Sequence, residues 1–256
     1  MKYFFIKYEQ VYSNTFGLTD QIVELIYNIC MEYVNVFCTD VFCSSVVDVV
    51  RDNNCALLKL LVAVKGGFSV RDAERGLLIA AENGYTDCVD VLLQAGINPE
   101  VTDSSRGSAL SAAVTAGHDD VVRYLAAAVS RSGLNAWWRG STALHRAVAS
   151  GRGTCVGSLV DAGASVNSVD SAGDTPLIVA AKHCRQSLAT MKYLIGAGCD
   201  LERVDAERRT ALHYSCYRAV GAELLLSAGA KTNVQVTTSS RYRINCLYLC
   251  TRLLQT

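Results

Sequence analysis

Four histidines and eleven cysteines are the residues of this chain most suited to reaction chemistry, and their spacing argues against a metal or catalytic centre. His118 and His183 have no cysteine or carboxylate partner at metal-ligand spacing, so no zinc site is expected at either. The cysteines contain no CxxC pair and are odd in number, which does not match a secreted disulfide framework. Cys246 and Cys250 stand four apart and could share a helix face, but thiols are common small core residues. The phosphate-cradling patterns GxGxxG and GxxxxGKS/T are absent, and the glycines of "GRG" (151–153) suit a turn between helices. The expectation is therefore no catalytic residue, no metal and no cofactor. Better suited to recognition are the adjacent Trp137 and Trp138 with Arg139, since tryptophan and arginine are over-represented in binding hot spots.

The composition bounds what such residues could recognise. Half of the 256 residues are apolar, ample for a sizeable core, and 24 basic residues balance 24 acidic ones. No net field draws nucleic acid or an anionic membrane surface. Residues 1–40 carry Lys2 and Lys7 against Glu9, Asp20, Glu24, Glu32 and Asp40, too small an imbalance to name a partner. In "MKYFFIKYEQ", Lys7 and Glu9 interrupt the apolar run before a signal-peptide core forms. Between Ile22 and Val50, Glu24, Glu32, Asp40 and Asp48 recur every eight residues, whereas a membrane span needs about 20 nearly uncharged ones. No membrane insertion is expected. The scattered thiols point to a reducing, intracellular setting, cytoplasmic with the nucleus as the alternative.

A repeat organises most of the chain. "STALHRAV" (141–148), "DTPLIVAA" (174–181) and "RTALHYSC" (209–216) share one pattern, with weaker copies at 75–81, 107–114 and 244–251. The matching leucines are Leu77, Leu110, Leu144, Leu177, Leu212 and Leu247, spaced 33 to 35 apart, and a period of that size signals a solenoid. Each copy continues into a turn such as "ENGYTD" (82–87), a second apolar-faced segment such as "CVDVLLQAG" (88–96), and a polar bend. Ala180 and Ala181 permit close helix approach in the first segment, while Val91, Leu92, Tyr124, Leu125, Tyr193 and Leu194 supply an apolar face to the second. Gly96, Gly163, Gly198 and Gly229 suit helix C-termini, and Pro176 suits a first helical turn.

On these residues the chain resembles the ankyrin-repeat family, whose unit of about 33 residues carries a TPLHxA signature. The expected fold is an all-α ankyrin-repeat solenoid of stacked helix-turn-helix units with hairpin-like tips. Its expected organisation is an N-terminal helical extension (1–40), a degenerate unit (41–74), five repeats (75–240) and a truncated half-repeat (241–256). In the degenerate unit, Leu60 and Leu61 precede Leu92 and Leu93 by 32 and are read as their counterparts. The segment 21–34 is read as a helix capping the stack. The resemblance gives His145 and His213 a structural role, bonding backbone between units. It implies a non-catalytic scaffold or adaptor that binds a partner protein through its concave face and tips.

The tips are "VTDSSRG" (101–107), "NAWWRG" (135–140), "NSVDSAG" (167–173) and "RVDAERR" (203–209). Candidate partner-binding residues are Trp137, Trp138, Arg139, Asp103, Arg106, Asp170, Asp205 and Arg208. Aligning Asn135 with Asn167 puts Trp138 opposite Asp170, with one residue deleted afterwards, and "AAAVSRSG" (126–133) lengthens the preceding loop or helix by two. The resemblance also makes Asn167 and Asn233 candidates for asparaginyl hydroxylation, with Leu159 and Leu225 eight residues before them. Two alternatives stand beside the scaffold reading. "CLYLCTRLL" (246–254) has a faint likeness to the opening of a SOCS box, which would make the chain a substrate-receptor subunit of a ubiquitin ligase. The chain could also be a fragment of a larger ankyrin-containing protein.

Overall fold

The computed structural model describes residues 45–63, 69–183, 188–218 and 221–232. Apart from Ser45, these belong to the second of two compact units, Val46–Thr256. The extension 1–40, Asn233 and the half-repeat 241–256 lie outside the described residues.

Inner and outer helices alternate along the chain. The inner helices are α1 (Val46–Arg51), α3 (Val70–Asn83), α5 (Ala109–Ala116), α8 (Ala143–Ala149), α10 (Pro176–Lys182) and α12 (Ala211–Arg218). The outer helices are α2 (Cys55–Ala63), α4 (Thr86–Gln94), α6 (Asp119–Ala128), α9 (Gly153–Asp161), α11 (Leu188–Gly196) and α13 (Ala222–Ser227). Starts and stops follow from capping chemistry. Ser108 and Thr175 accept the backbone N–H of Ser111 and Ile178, and Pro176 opens α10, where its missing N–H is no loss. Gly163 closes the turn after α9 at φ +95°, a conformation costly for any residue with a Cβ.

Each helix packs mainly on its own partner and on the equivalent helices before and after it, so stability is carried by neighbouring interfaces. Leu77, Leu110, Leu144, Leu177 and Leu212 form one buried column, and Leu58, Leu92, Leu125, Leu159, Leu194 and Leu225 a second, all at 1% exposure or less. Each such leucine contributes about 1.5–3 kcal/mol by leaving water.

Two details of the sequence reading are corrected. Leu58 is the fully buried leucine of this unit, Leu61 packs half-buried against the core and Leu60 is exposed; α2 begins at Cys55, directly after a tight turn, and that start sets the register. Tyr124 and Tyr193 are also exposed, although Val91 at the equivalent position of α4 is buried. The Tyr193 hydroxyl donates to Asp161 instead. The lengthening at 126–133 is an extra turn of helix, α7 (Arg131–Leu134), capped by Ser130 and anchored by the buried Leu134.

Polar bonds bind one unit to the next. Glu100, Asn135, Asn167 and Glu202 each accept, through a side-chain oxygen, a backbone N–H one unit downstream, from Ser130, Ser165, Asp200 and Lys231 at 2.7–2.8 Å. Asn167, the described hydroxylation candidate, is thus half-buried and fixed through its Oδ1.

Candidate functional site

The tips form a row in which each touches the next. In the first, β1 (Thr102–Asp103) pairs antiparallel with β2 (Gly107–Ser108). In the second, Trp138 and Ser141 exchange backbone hydrogen bonds of 3.0 and 3.3 Å across Arg139 and Gly140, both at positive φ. That is the two-residue turn whose twist suits a hairpin, and it accommodates the deletion seen in the sequence. Gly140 accepts the backbone N–H of Ser171 in the third tip at 2.7 Å. Arg139 Nη2 reaches back to the Ser105 carbonyl of the first at 3.3 Å.

The three aspartates occupy one equivalent position and perform one job. Oδ1 of Asp103 accepts the N–H of Ser105; that of Asp170 accepts from Ala172 and Asp174; that of Asp205 accepts from Glu207 and Arg209. These bonds hold the tip backbone in its turn. Asp205 goes further and is buried. Its Oδ2 accepts from Arg209 Nε at 3.0 Å and from the Tyr214 hydroxyl at 2.6 Å. Burial pushes the Asp205 carboxyl up, but the bonds from Tyr214 and Arg209 outweigh it and leave the group below its ordinary value. Beside it, Lys182 grips both oxygens of Asp174 at 2.5–2.6 Å. Burial nevertheless raises the Asp174 carboxyl, with Lys182 opposing. Arg106 is likewise committed, to Glu82 at 2.6 Å and Asp103 at 3.4 Å. Arg208 is exposed and adopts φ +61°, the position Gly173 holds in the preceding tip.

In the second tip a tryptophan stands where the others have aspartate. The half-buried Trp138 lies against the backbone of Gly107, where an added Cβ would stand 2.5 Å from the indole. Two guanidinium carbons sit over its ring, Arg139 at 4.5 Å and Arg146 at 4.0 Å from the centroid. Arg146 Nη2 also donates to Thr115 Oγ1 at 2.6 Å. Trp137 is 56% exposed. The structure therefore brings Trp138 and Arg139 together, with Trp137 adjacent, and places Asp103 and Asp170 in the tips on either side and Asp205 one tip further on.

Sequence reasoning missed Arg146. Its signal was available: it fills the variable position of the TPLHxA pattern, which is Ile79, Ala112, Val179 and Tyr214 in the other units.

His145 is buried and bonded at both ring nitrogens, to Thr142 Oγ1 at 2.8 Å and the Asp174 carbonyl at 2.9 Å. A carbonyl can only accept, so Nε2 carries the proton and joins α8 to the next tip. Burial lowers the His145 pKa from 6.5. Among the described residues no group of three or more His, Cys, Asp or Glu is placed to hold a metal, and no helix is long and apolar enough to cross a membrane.

Comparison with known proteins agrees with this architecture. A sequence model of ankyrin repeats matches three times, over residues 47–136, 77–170 and 144–236. Mouse (Mus musculus) ankyrin repeat domain-containing protein 63 is 37% identical over 108 residues, covering 40% of this chain and 27% of that protein. Human (Homo sapiens) ankyrin repeat and SOCS box protein 16 is 28% identical over 200 residues, covering 62% of this chain and 44% of that one. The chain thus spans less than half the length of these relatives. Among solved structures, the ankyrin repeat domain of Bcl-3 superposes with a TM-score of 0.68 at 23% identity, over 80% of this chain and 98% of that one.

Proposed function

The chain belongs to the ankyrin-repeat family, whose repeats are protein–protein interaction modules, and from that premise we propose that it is a non-catalytic scaffold or adaptor acting in the cytoplasm. It binds a partner protein through the concave face and the tip row, centred on the second tip. The observation that carries this reading is Trp137, 56% exposed beside the Trp138–Arg139–Arg146 stack, since tryptophan and arginine are the residue types enriched in binding hot spots. Asp103 and Arg106 in the tip before, Asp170 in the tip after and Asp205 and Arg208 in the tip beyond that complete the proposed row. Affinity capture with the whole chain beside a Trp137→Ala, Trp138→Ala double variant tests the reading. Partners should be lost from the variant while its melting temperature stays close to the parent's. Retention of the same partners by a folded double variant would remove the second tip from the interface.

A second reading draws on the likeness to ankyrin repeat and SOCS box protein 16 and on the segment 246–254. In it the same ankyrin surface selects substrates for a ubiquitin ligase. Co-purification of Elongin that survives the double tryptophan substitution but not removal of 241–256 would support it; no co-purification with the intact chain would dismiss it.

A further inference from the structure

The arginines gathered on Trp138 differ from their neighbour Arg106. Arg106 has two carboxylates in reach, whereas among the described residues no carboxylate lies within 4.0 Å of either Arg139 or Arg146. Each makes one bond to a neutral oxygen, Arg139 to Ser105 O and Arg146 to Thr115 Oγ1, leaving further N–H donors of both forks uncommitted. Two like charges share one indole. Burial, and then the charge of Arg139, lower the pKa of Arg146, so the pair is held together against its own repulsion.

Packing does not demand an arginine at 146. The equivalent residue is Ala112 one unit earlier, Val179 one unit later and Tyr214 after that. Nor does the turn demand a tryptophan at 138, since aspartate serves that position in the other three tips. The departure from the repeat has replaced a turn-holding acid with a platform for two cations.

We propose that the Arg139–Trp138–Arg146 cluster is a docking site for an acidic peptide segment of the partner protein. Carboxylates of that segment pair with the planar forks that the indole holds in place, and Trp137 covers the segment's apolar atoms. Charge complementarity carries the assignment: the cluster lacks two carboxylates, which the partner supplies. The proposal rests on the scaffold reading and deepens it by naming the partner's chemistry.

Both tryptophans of the chain stand in this tip, so intrinsic emission reports on the site without a label. The test titrates the whole chain with a blocked hexapeptide of alternating Glu and Asp, and separately with its Gln and Asn counterpart. The acidic peptide should shift the emission saturably and weaken with added salt, and the neutral one should not. Arg139→Gln with Arg146→Gln, melting like the parent, should bind at least about tenfold more weakly. Arg139→Gln alone, at an exposed tip, serves if the double variant does not fold. Equal response to the two peptides, no response to either, or unchanged binding by a folded arginine variant would overturn the proposal. The two readings fail separately. Acidic-peptide binding without capture of any protein keeps the anion site and discards the scaffold. Tryptophan-dependent capture that the acidic peptide does not compete keeps the scaffold and discards the acidic segment.

Discussion

The indole of Trp138 rests on the backbone of Gly107 in the preceding tip, so closely that an added Cβ would stand 2.5 Å from its Cγ. Gly107 also holds φ +74°, so both the space and the backbone require glycine. One unit's platform is built on the hairpin of the unit before it.

Gly107→Ala should therefore destabilise the fold by about 2 kcal/mol, combining left-handed backbone strain with displacement of the indole. Tryptophan emission should shift at the same time, because Trp138 must move. Denaturant unfolding and an emission spectrum check both, and an unchanged spectrum would mean that the contact is absent.

His145 predicts how the fold responds to acid. Its folded pKa lies below the ordinary 6.5, so as pH falls under 6.5 the unfolded chain takes a proton that the folded chain refuses. The contribution is present above pH 6.5 and is lost as pH falls toward the folded value. Stability measured from pH 7.5 to 5 should decline on the acid side, and in His145→Gln this part of the slope should flatten.

Asp103 and Asp205 hold equivalent turns, but only Asp205 is buried and bonded to Arg209 and Tyr214. Asp205→Ala removes the acceptor of the Tyr214 hydroxyl and of two turn N–H groups and leaves Arg209 only its other contacts, Glu207 among them, and should cost about 3 kcal/mol. Asp103→Ala should cost clearly less. Melting both variants side by side checks the order, and equal losses would refute it.

The buried thiols make an alkaline prediction. Burial, reinforced by Cys55, pushes Cys88 up to about 12; burial, reinforced by Asp119, pushes Cys155 up to about 12; and burial raises Cys199 to about 11. Unfolded thiols ionise near their ordinary 9.0, so the stabilisation is full below pH 9 and falls as pH rises through the folded values. Iodoacetamide at pH 8 should modify the half-buried Cys55 before Cys88, Cys155 or Cys199. Peptide mass mapping reads the order, and early loss of Cys88, Cys155 or Cys199 would contradict their burial.

Much of this was legible from one dimension. The interval between Leu110 and Leu144 marks a stacked unit because a helix pair cannot bury its apolar face alone, and a leucine column at constant spacing is the record of that need. Gly163 and Pro176 mark helix ends through backbone sterics that act locally. The deletion beside Trp138 likewise marks the tip that breaks the pattern. Leu58 was passed over for Leu60 because a degenerate unit lacks the signature that sets register, and a slip of two residues turns a helix face by roughly 200°.

By itself, the sequence determined the repeat, the glycine and proline marks at several helix ends and the position of the irregular tip, all of which depend on residues near one another or on simple periodicity. The tertiary structure alone decided which charges remain available. Asp205 and Arg209 satisfy each other inside a tip, while Arg146, from a different element than Arg139, arrives over the same indole without an acid. Charge pairing is a matter of distances of a few ångströms between side chains far apart in the chain, and only the stacking of one unit on the next sets those distances.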